Sequence, residues 1–251
     1  MGGDVMFSVF TKKKTLFLVF FIILSTICPS STFSEKAEEQ KAAVFLIVDN
    51  SGSNTRNDPG HFRWIAVQMV SEMLTRGDHL SLITFDDEII ESKRKELRDV
   101  GPYKAPGDLN NHRNAVIGIA EDSKSDGNTD LVLPLWKLAD ELEKTPPNHK
   151  PFAIYLSDGK HEPGKASDHY GEPREEALSR AVKELSNVNC KIHAIALSHD
   201  ADEEFMKIIS SKTGGSFHKI AFRGTNTKSK QLLDIFRDIV WSELPYYMAP
   251  D

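Results

Sequence analysis

The sequence predicts an α/β fold: a doubly wound, mostly parallel central sheet with helices on both faces and one antiparallel edge strand. Three observations point there. Short apolar runs that suit strands buried on both sides alternate along the chain with segments whose apolar residues recur at helical spacing. Several of the runs stop abruptly at small oxygen-bearing residues, and the strand ends of such a sheet are where ligands bind. No internal repeat or inter-domain linker interrupts the alternation, so one domain accounts for it.

The first run is Ala42–Val48 (AAVFLIV), ending in Asp49. Ile65, Met69, Val70, Met73 and Leu74 then repeat with helical period and are followed by Gly77-Asp78, a stop signal. His79–Phe85 (HLSLITF) alternates as a second strand, and Asp86-Asp87 form a turn into a third at Glu88–Ser92, the expected antiparallel edge. From Asp99 to Asp126 glycines and prolines break the pattern, with a helix expected at Asn114–Glu121. Leu131, Leu135, Leu138 and Leu142 form a one-faced helix ended by Pro146-Pro147. Phe152–Leu156 is another buried strand, followed by a helix through Leu178, Ala181, Val182 and Leu185 and a strand at Lys191–Leu197. A helix at Asp202–Lys212, a short strand at Ser216–Ile220 and a last helix over about Thr227–Leu244 complete the order.

Composition excludes several classes. The 251 residues are 39% hydrophobic, enough for a packed core. A formal net charge of -6 argues against a general nucleic-acid binder, which needs a basic face. Two cysteines make neither a disulfide scaffold nor a four-thiolate zinc site. The averages conceal a cationic N-terminus: Lys12, Lys13 and Lys14 precede the apolar run Leu16–Leu24 and then small polar residues. Residues 1–34 read as a signal peptide cut after Ser34, or as an uncleaved signal anchor; either places the remainder outside the cytoplasm. Contact with a membrane is expected only in the anchored case. Residues 35–41 read as a charged leader, 42–244 as the domain and 245–251 as a C-terminal tail. Without the first 34 residues the chain is more acidic and keeps one cysteine, Cys190, at the start of an apolar strand, where it is expected as a buried free thiol.

Three separated segments place oxygen donors at strand or helix ends. They are Asp49-Asn50-Ser51-Gly52-Ser53, Gly127-Asn128-Thr129-Asp130, and Asp158 after the FAIYL strand. Asp49, Ser51, Ser53, Thr129 and Asp158 together supply two carboxylates and three hydroxyls, without sulfur or imidazole. That set suits a hard cation, with Mg²⁺ first and Mn²⁺ or Ca²⁺ as alternatives. Hydroxyls neutralise none of the ion's charge, so such a site would draw in a further anionic ligand, such as a protein Asp or Glu.

The D-x-S-x-S segment, the Thr of the G-x-T-D loop and the later Asp resemble the metal-ion-dependent adhesion site of von Willebrand factor A domains, a Rossmann-like α/β family. The likeness runs from about Ala42 to Trp241. Asp58-Pro59 with Arg63 and Ala66, Gly77-Asp78 before LITF, and TGGSFHKI make it most similar to bacterial exported A domains. The resemblance implies that Ser51, Ser53 and Thr129 ligate through hydroxyls while Asp49 and Asp158 act partly through bound water. It also implies an exported module, periplasmic, cell-surface or extracellular, that grips an acidic residue of a protein partner in adhesion or complex assembly, and no enzymatic activity.

The alternative is a metal-dependent hydrolase or phosphatase using the same strand ends. Against it, Ser51 stands where a D-x-D phosphatase carries its second carboxylate, and no nucleophile elbow, H-E-x-x-H or Walker A loop is present. The stretch GKHEPGKASDHYGEP after Asp158 reads as a solvated loop, and Trp136 and Trp241 as packing residues.

Overall fold

The computed structural model describes residues 40–58, 61–74, 77–89, 127–165, 167–186, 189–220 and 225–244. The signal segment, most of the leader, the helix expected at 114–121, residues 90–92 of the expected edge strand and the C-terminal tail lie outside the described residues. In chain order the elements are β1 (Lys41–Asp49), α1 (Asn54–Asn57), α2 (Phe62–Met73), β2 (His79–Phe85), α3 (Leu133–Leu142), β3 (His149–Ser157), α4 (Arg174–Leu185), β4 (Lys191–Ala196), α5 (Glu203–Thr213), β5 (Phe217–Lys219) and α6 (Thr225–Glu243).

The sheet order is β2-β1-β3-β4-β5, with every pairing parallel. β1 lies between β2 and β3 and is buried along nearly its whole length, which is why its sequence is continuously apolar rather than alternating. Its register sets the functional end: Val48 pairs with Leu156 of β3 and Asp49 with Phe85 of β2. Of the antiparallel edge, the described residues hold a single bridge, Phe85 to Ile89.

Alternate residues of β1 build two cores. Ala42, Val44, Leu46 and Val48 face α2 and α6, packing with Trp64, Val67, Val70, Phe236 and Val240. Ala43, Phe45 and Ile47 face the opposite side with residues of α3, α4 and α5, among them Leu135, Leu138, Ala181, Phe205 and Ile209. Helices therefore cover both faces, as the alternating pattern predicts.

Local chemistry fixes the element ends. In α5 the Asp202 carboxylate accepts the Phe205 N–H at 3.0 Å, and Gly214 closes the helix at φ 75°, a conformation that costs glycine little. The Asp86 carboxylate accepts the Glu88 N–H at 2.9 Å, so this acid makes a turn as its sequence predicts. Cys190 is free and buried, and burial pushes its thiol up to about 12. Trp241 departs from expectation and is half-exposed. It lies off the buried stripe of Leu232, Phe236, Ile239 and Val240, four residues beyond Arg237, whose guanidinium covers its ring at 5.4 Å. Among the described residues no helix is long and apolar enough to cross a membrane.

Candidate metal centre

The site forms where β1 and β3 end. Asp49 is the last residue of β1 and is fully buried. Directly after it the chain turns: the Asn50 N–H donates to Phe85 O at 2.7 Å, and the Ser51 N–H folds back onto Asp49 Oδ1 at 2.9 Å. Asn54 Nδ2 lies 3.3 Å from each of Asp49 O, Asp49 Oδ1 and Ser51 O, bracing the loop from α1. The other Asp49 oxygen, Oδ2, accepts the Ser157 hydroxyl at 2.5 Å, which ties β1 to the end of β3.

The serines converge next. Ser51 Oγ and Ser53 Oγ are 3.0 Å apart, and Ser53 Oγ donates to Asp158 Oδ1 at 2.9 Å. The Gly52 N–H donates to Gly127 O at 3.1 Å, joining this loop to the one carrying Thr129. A Cβ placed on Gly159 would lie 3.1 Å from Thr129 Oγ1 and 3.4 Å from Ser53 Oγ. The structure thus brings all five sequence-predicted residues, Asp49, Ser51, Ser53, Thr129 and Asp158, to one place, from segments up to 109 residues apart in number. Glycine at 159 keeps a side chain out of the space between the hydroxyls.

The electrostatics are unusual for a protein at rest. Burial raises the Asp49 carboxyl above its ordinary range, against the hydrogen bonds from Ser157 and Ser51 and the charge of Arg63. Asp158 is raised to about 7, by burial first and then by the Asp49 charge, while Ser53, Asn57 and Arg63 act the other way. Arg63 is itself fully buried and engaged elsewhere, pairing with Asp58 at 2.9 Å and donating to Asn50 Oδ1 at 3.3 Å. Among the described residues Asp158 Oδ2 is buried with no hydrogen-bond partner. A buried carboxylate oxygen without a donor is costly unless something positive meets it.

These observations fit a hard divalent cation. The donors are all oxygens, the charge of Asp49 is felt at Asp158, and one carboxylate oxygen is unmet among the described residues. Among the described residues no group of three or more His, Cys, Asp or Glu is arranged to hold a metal, so such an ion would depend on the serine and threonine hydroxyls.

Reading the sequence alone misses several supporting residues. Ser157 could have been noticed as the hydroxyl preceding Asp158. Asn54 and the buried Arg63 carry no local signal of their roles, since both act through tertiary contact. The stretch after Asp158 is not a solvated loop throughout: the buried Ser167 and His169 side chains donate to Asp130, and the largely buried His161 ring accepts the Leu131 N–H. The correction has a physical basis, because a buried carboxylate gathers donors whatever the local sequence polarity.

Fold and site define the class, an α/β domain with an oxygen-donor cluster at the carboxyl ends of its central strands. The chain belongs to the von Willebrand factor type A domain family, whose family model matches residues 43–237. Solved structures with similar folds include a von Willebrand factor type A protein from Catenulispora acidiphila, with 16% identity and a TM-score of 0.58. That match covers 78% of this chain and 42% of that one. The PilB minor pilin from Streptococcus sanguinis shares 14% identity at a TM-score of 0.56, covering 85% and 64%. Proximal thread matrix protein 1 from the mussel byssus shares 15% at 0.55, covering 82% and 46%. At these identities the likeness is one of fold, and this chain spans less than two thirds of each of those chains. No curated protein sequence matches it.

Proposed function

We propose that this chain is an exported, metal-dependent protein-binding module for adhesion or complex assembly. In this reading Ser51, Ser53 and Thr129 hold a Mg²⁺ through their hydroxyls, and Asp49 and Asp158 orient them and balance its charge. The observation that carries the reading is the unmet, buried Asp158 Oδ2 beside the converging hydroxyls. Bound there, the ion would offer an open coordination position to an Asp or Glu carboxylate of a partner protein.

The protein's own part is to hold the donors still. Asn54 and Ser157 fix both Asp49 oxygens, and the Arg63–Asp58 pair anchors the loop from behind. The oxygen-only donor set held in this way supports binding of a hard ion and, through it, of a partner. The printed names of structural neighbours accord with this: a minor pilin, a byssus matrix protein and the pilus adhesin SpaC from Lactobacillus rhamnosus GG. The basic and apolar N-terminal segment supports export.

Partner capture from extracellular or envelope protein tests the reading. Capture is expected in Mg²⁺, and expected to vanish with a chelator or with Asp49→Ala while the circular dichroism spectrum is kept. Undiminished capture after both treatments would overturn it.

A further inference from the structure

Among the described residues Thr129 has no side-chain partner of the kind that fixes Asp49 or Ser53, yet in the metal reading its hydroxyl must be placed as accurately. Its backbone is where the constraint lies. The Thr129 N–H donates to Glu162 O at 3.2 Å, and the Glu162 N–H returns the bond to Thr129 O at 2.8 Å. The Asp130 N–H donates to Asp86 O at 2.8 Å. The Leu131 N–H donates to His161 Nδ1 at 3.2 Å, and Leu131 O accepts the Tyr155 hydroxyl at 2.9 Å.

The side chain of Asp130 closes the arrangement. It is fully buried, and Oδ1 accepts the Val132 and Leu133 N–H groups at 2.9 and 3.1 Å at the start of α3. A helix cap needs no more than that. Asp130 Oδ2 nevertheless takes two further donors, the Ser167 hydroxyl and His169 Nδ1, the latter at 2.6 Å. These come from 37 and 39 residues along the chain. The Ser167 oxygen in turn accepts the His169 N–H at 2.9 Å. His161 Nδ1 stands 3.7 Å from Asp130 Oδ1.

We propose that His161, Ser167 and His169 are positioning residues for the metal centre: they form a clasp that, through Asp130 and the Thr129–Leu131 backbone, sets where the Thr129 hydroxyl stands. This rests on the reading of the strand-end cluster as a metal centre. Two of the three segments that supply the donors are extensions of central strands and inherit their rigidity. The third, around Thr129, starts a helix and is held by the clasp instead. Groups that orient ligands without touching the ion commonly change metal affinity about 10-fold or more when removed.

The test is a Mn²⁺ titration of the full chain by calorimetry, paired with hydrogen exchange at the Thr129 and Leu131 amides. Ser167→Ala and His169→Ala are each expected to raise the Mn²⁺ dissociation constant ~10-fold and to speed exchange at those two amides, with the circular dichroism spectrum of the folded chain kept. His169→Asn places an amide N–H where Nδ1 stood and is expected to restore most of the affinity. Wild-type affinity in both alanine variants would overturn the clasp while leaving the metal reading intact. Equal loss in His169→Ala and His169→Asn would also overturn it, as bulk rather than the hydrogen bond would then matter. A wild-type chain that takes up no Mn²⁺ would overturn the metal reading, and the clasp with it.

Discussion

The two ends of the central sheet both bury carboxylates, and they treat them oppositely. At the end where β3 and β4 begin, Glu243 of α6 is met by Lys191 Nζ at 2.9 Å and Lys150 Nζ at 3.1 Å, with His193 Nε2 at 3.4 Å. Burial alone would push this carboxyl up, but the two ammoniums hold it below its ordinary range. At the opposite end Asp49 and Asp158 lie beside hydroxyls, and both are raised. The positive charge that acts on both, Arg63, is already paired with Asp58. An acid whose task is to hold the fold has its counter-ion built in. The acids at the opposite end have a cradle of hydroxyls and, among the described residues, one unmet oxygen, which is the arrangement expected of groups that would complete their charge balance with a ligand.

Breaking either end should show the difference. The largest effect is expected from Arg63→Met, which leaves the buried Asp58 charge without its partner; stability to urea should fall by about 3–5 kcal/mol. Acid should weaken the structural end next. His193 is lowered by burial from 6.5 to about 4, with Glu243 acting the other way, so the unfolded chain binds more protons across that window. The His193 contribution to stability should therefore fall as pH drops from 6.5 through about 4, by roughly 3 kcal/mol, while the raised Asp49 and Asp158 carboxyls act in the opposite sense over an overlapping window. Urea titrations in a pH series should show this contribution as the difference between the wild type and His193→Gln, the variant losing less stability than the wild type as pH drops. Glu243→Gln removes the charged acceptor of two partly exposed lysines and should cost about 2 kcal/mol. The smallest effect is expected at the other end: Asp158→Asn in chelator should stay within about 1 kcal/mol of wild type, because it keeps the Ser53 acceptor and removes an acid that burial disfavours. A loss there as large as that of Glu243→Gln would erase the contrast.

Much of this was legible in the chain itself. β1, β3 and β4 stand out because burial on both faces leaves runs that are mostly apolar, and α5 because Asp202 and Gly214 mark its ends. The five residues are legible because each lies just at or after the end of a strand, or just before a helix, that the pattern reveals. The clasp around Asp130 was not legible: its residues sit in a polar stretch with no period, and they are held by contacts with the Asp130 carboxylate and the Leu131 backbone, 30 or more residues earlier. Trp241 failed differently, since helical phase places it on the outer face and an aromatic ring's identity does not reveal phase. The Glu243 cluster joins a helix end to two strand starts, an assembly that local sequence does not encode.

The central claim is that the Asp49–Ser51–Ser53–Thr129–Asp158 cluster holds a divalent cation. Thermal unfolding of the wild-type chain and of Asp158→Asn, each with Mg²⁺ and with chelator, tests it most directly. Binding to the folded state alone should stabilise the wild type by about 2.7 kcal/mol when Mg²⁺ is a hundredfold above its dissociation constant. The account predicts a rise in the wild-type melting temperature with Mg²⁺ and little or none in Asp158→Asn. No response in the wild type, or the same response in both, would contradict it.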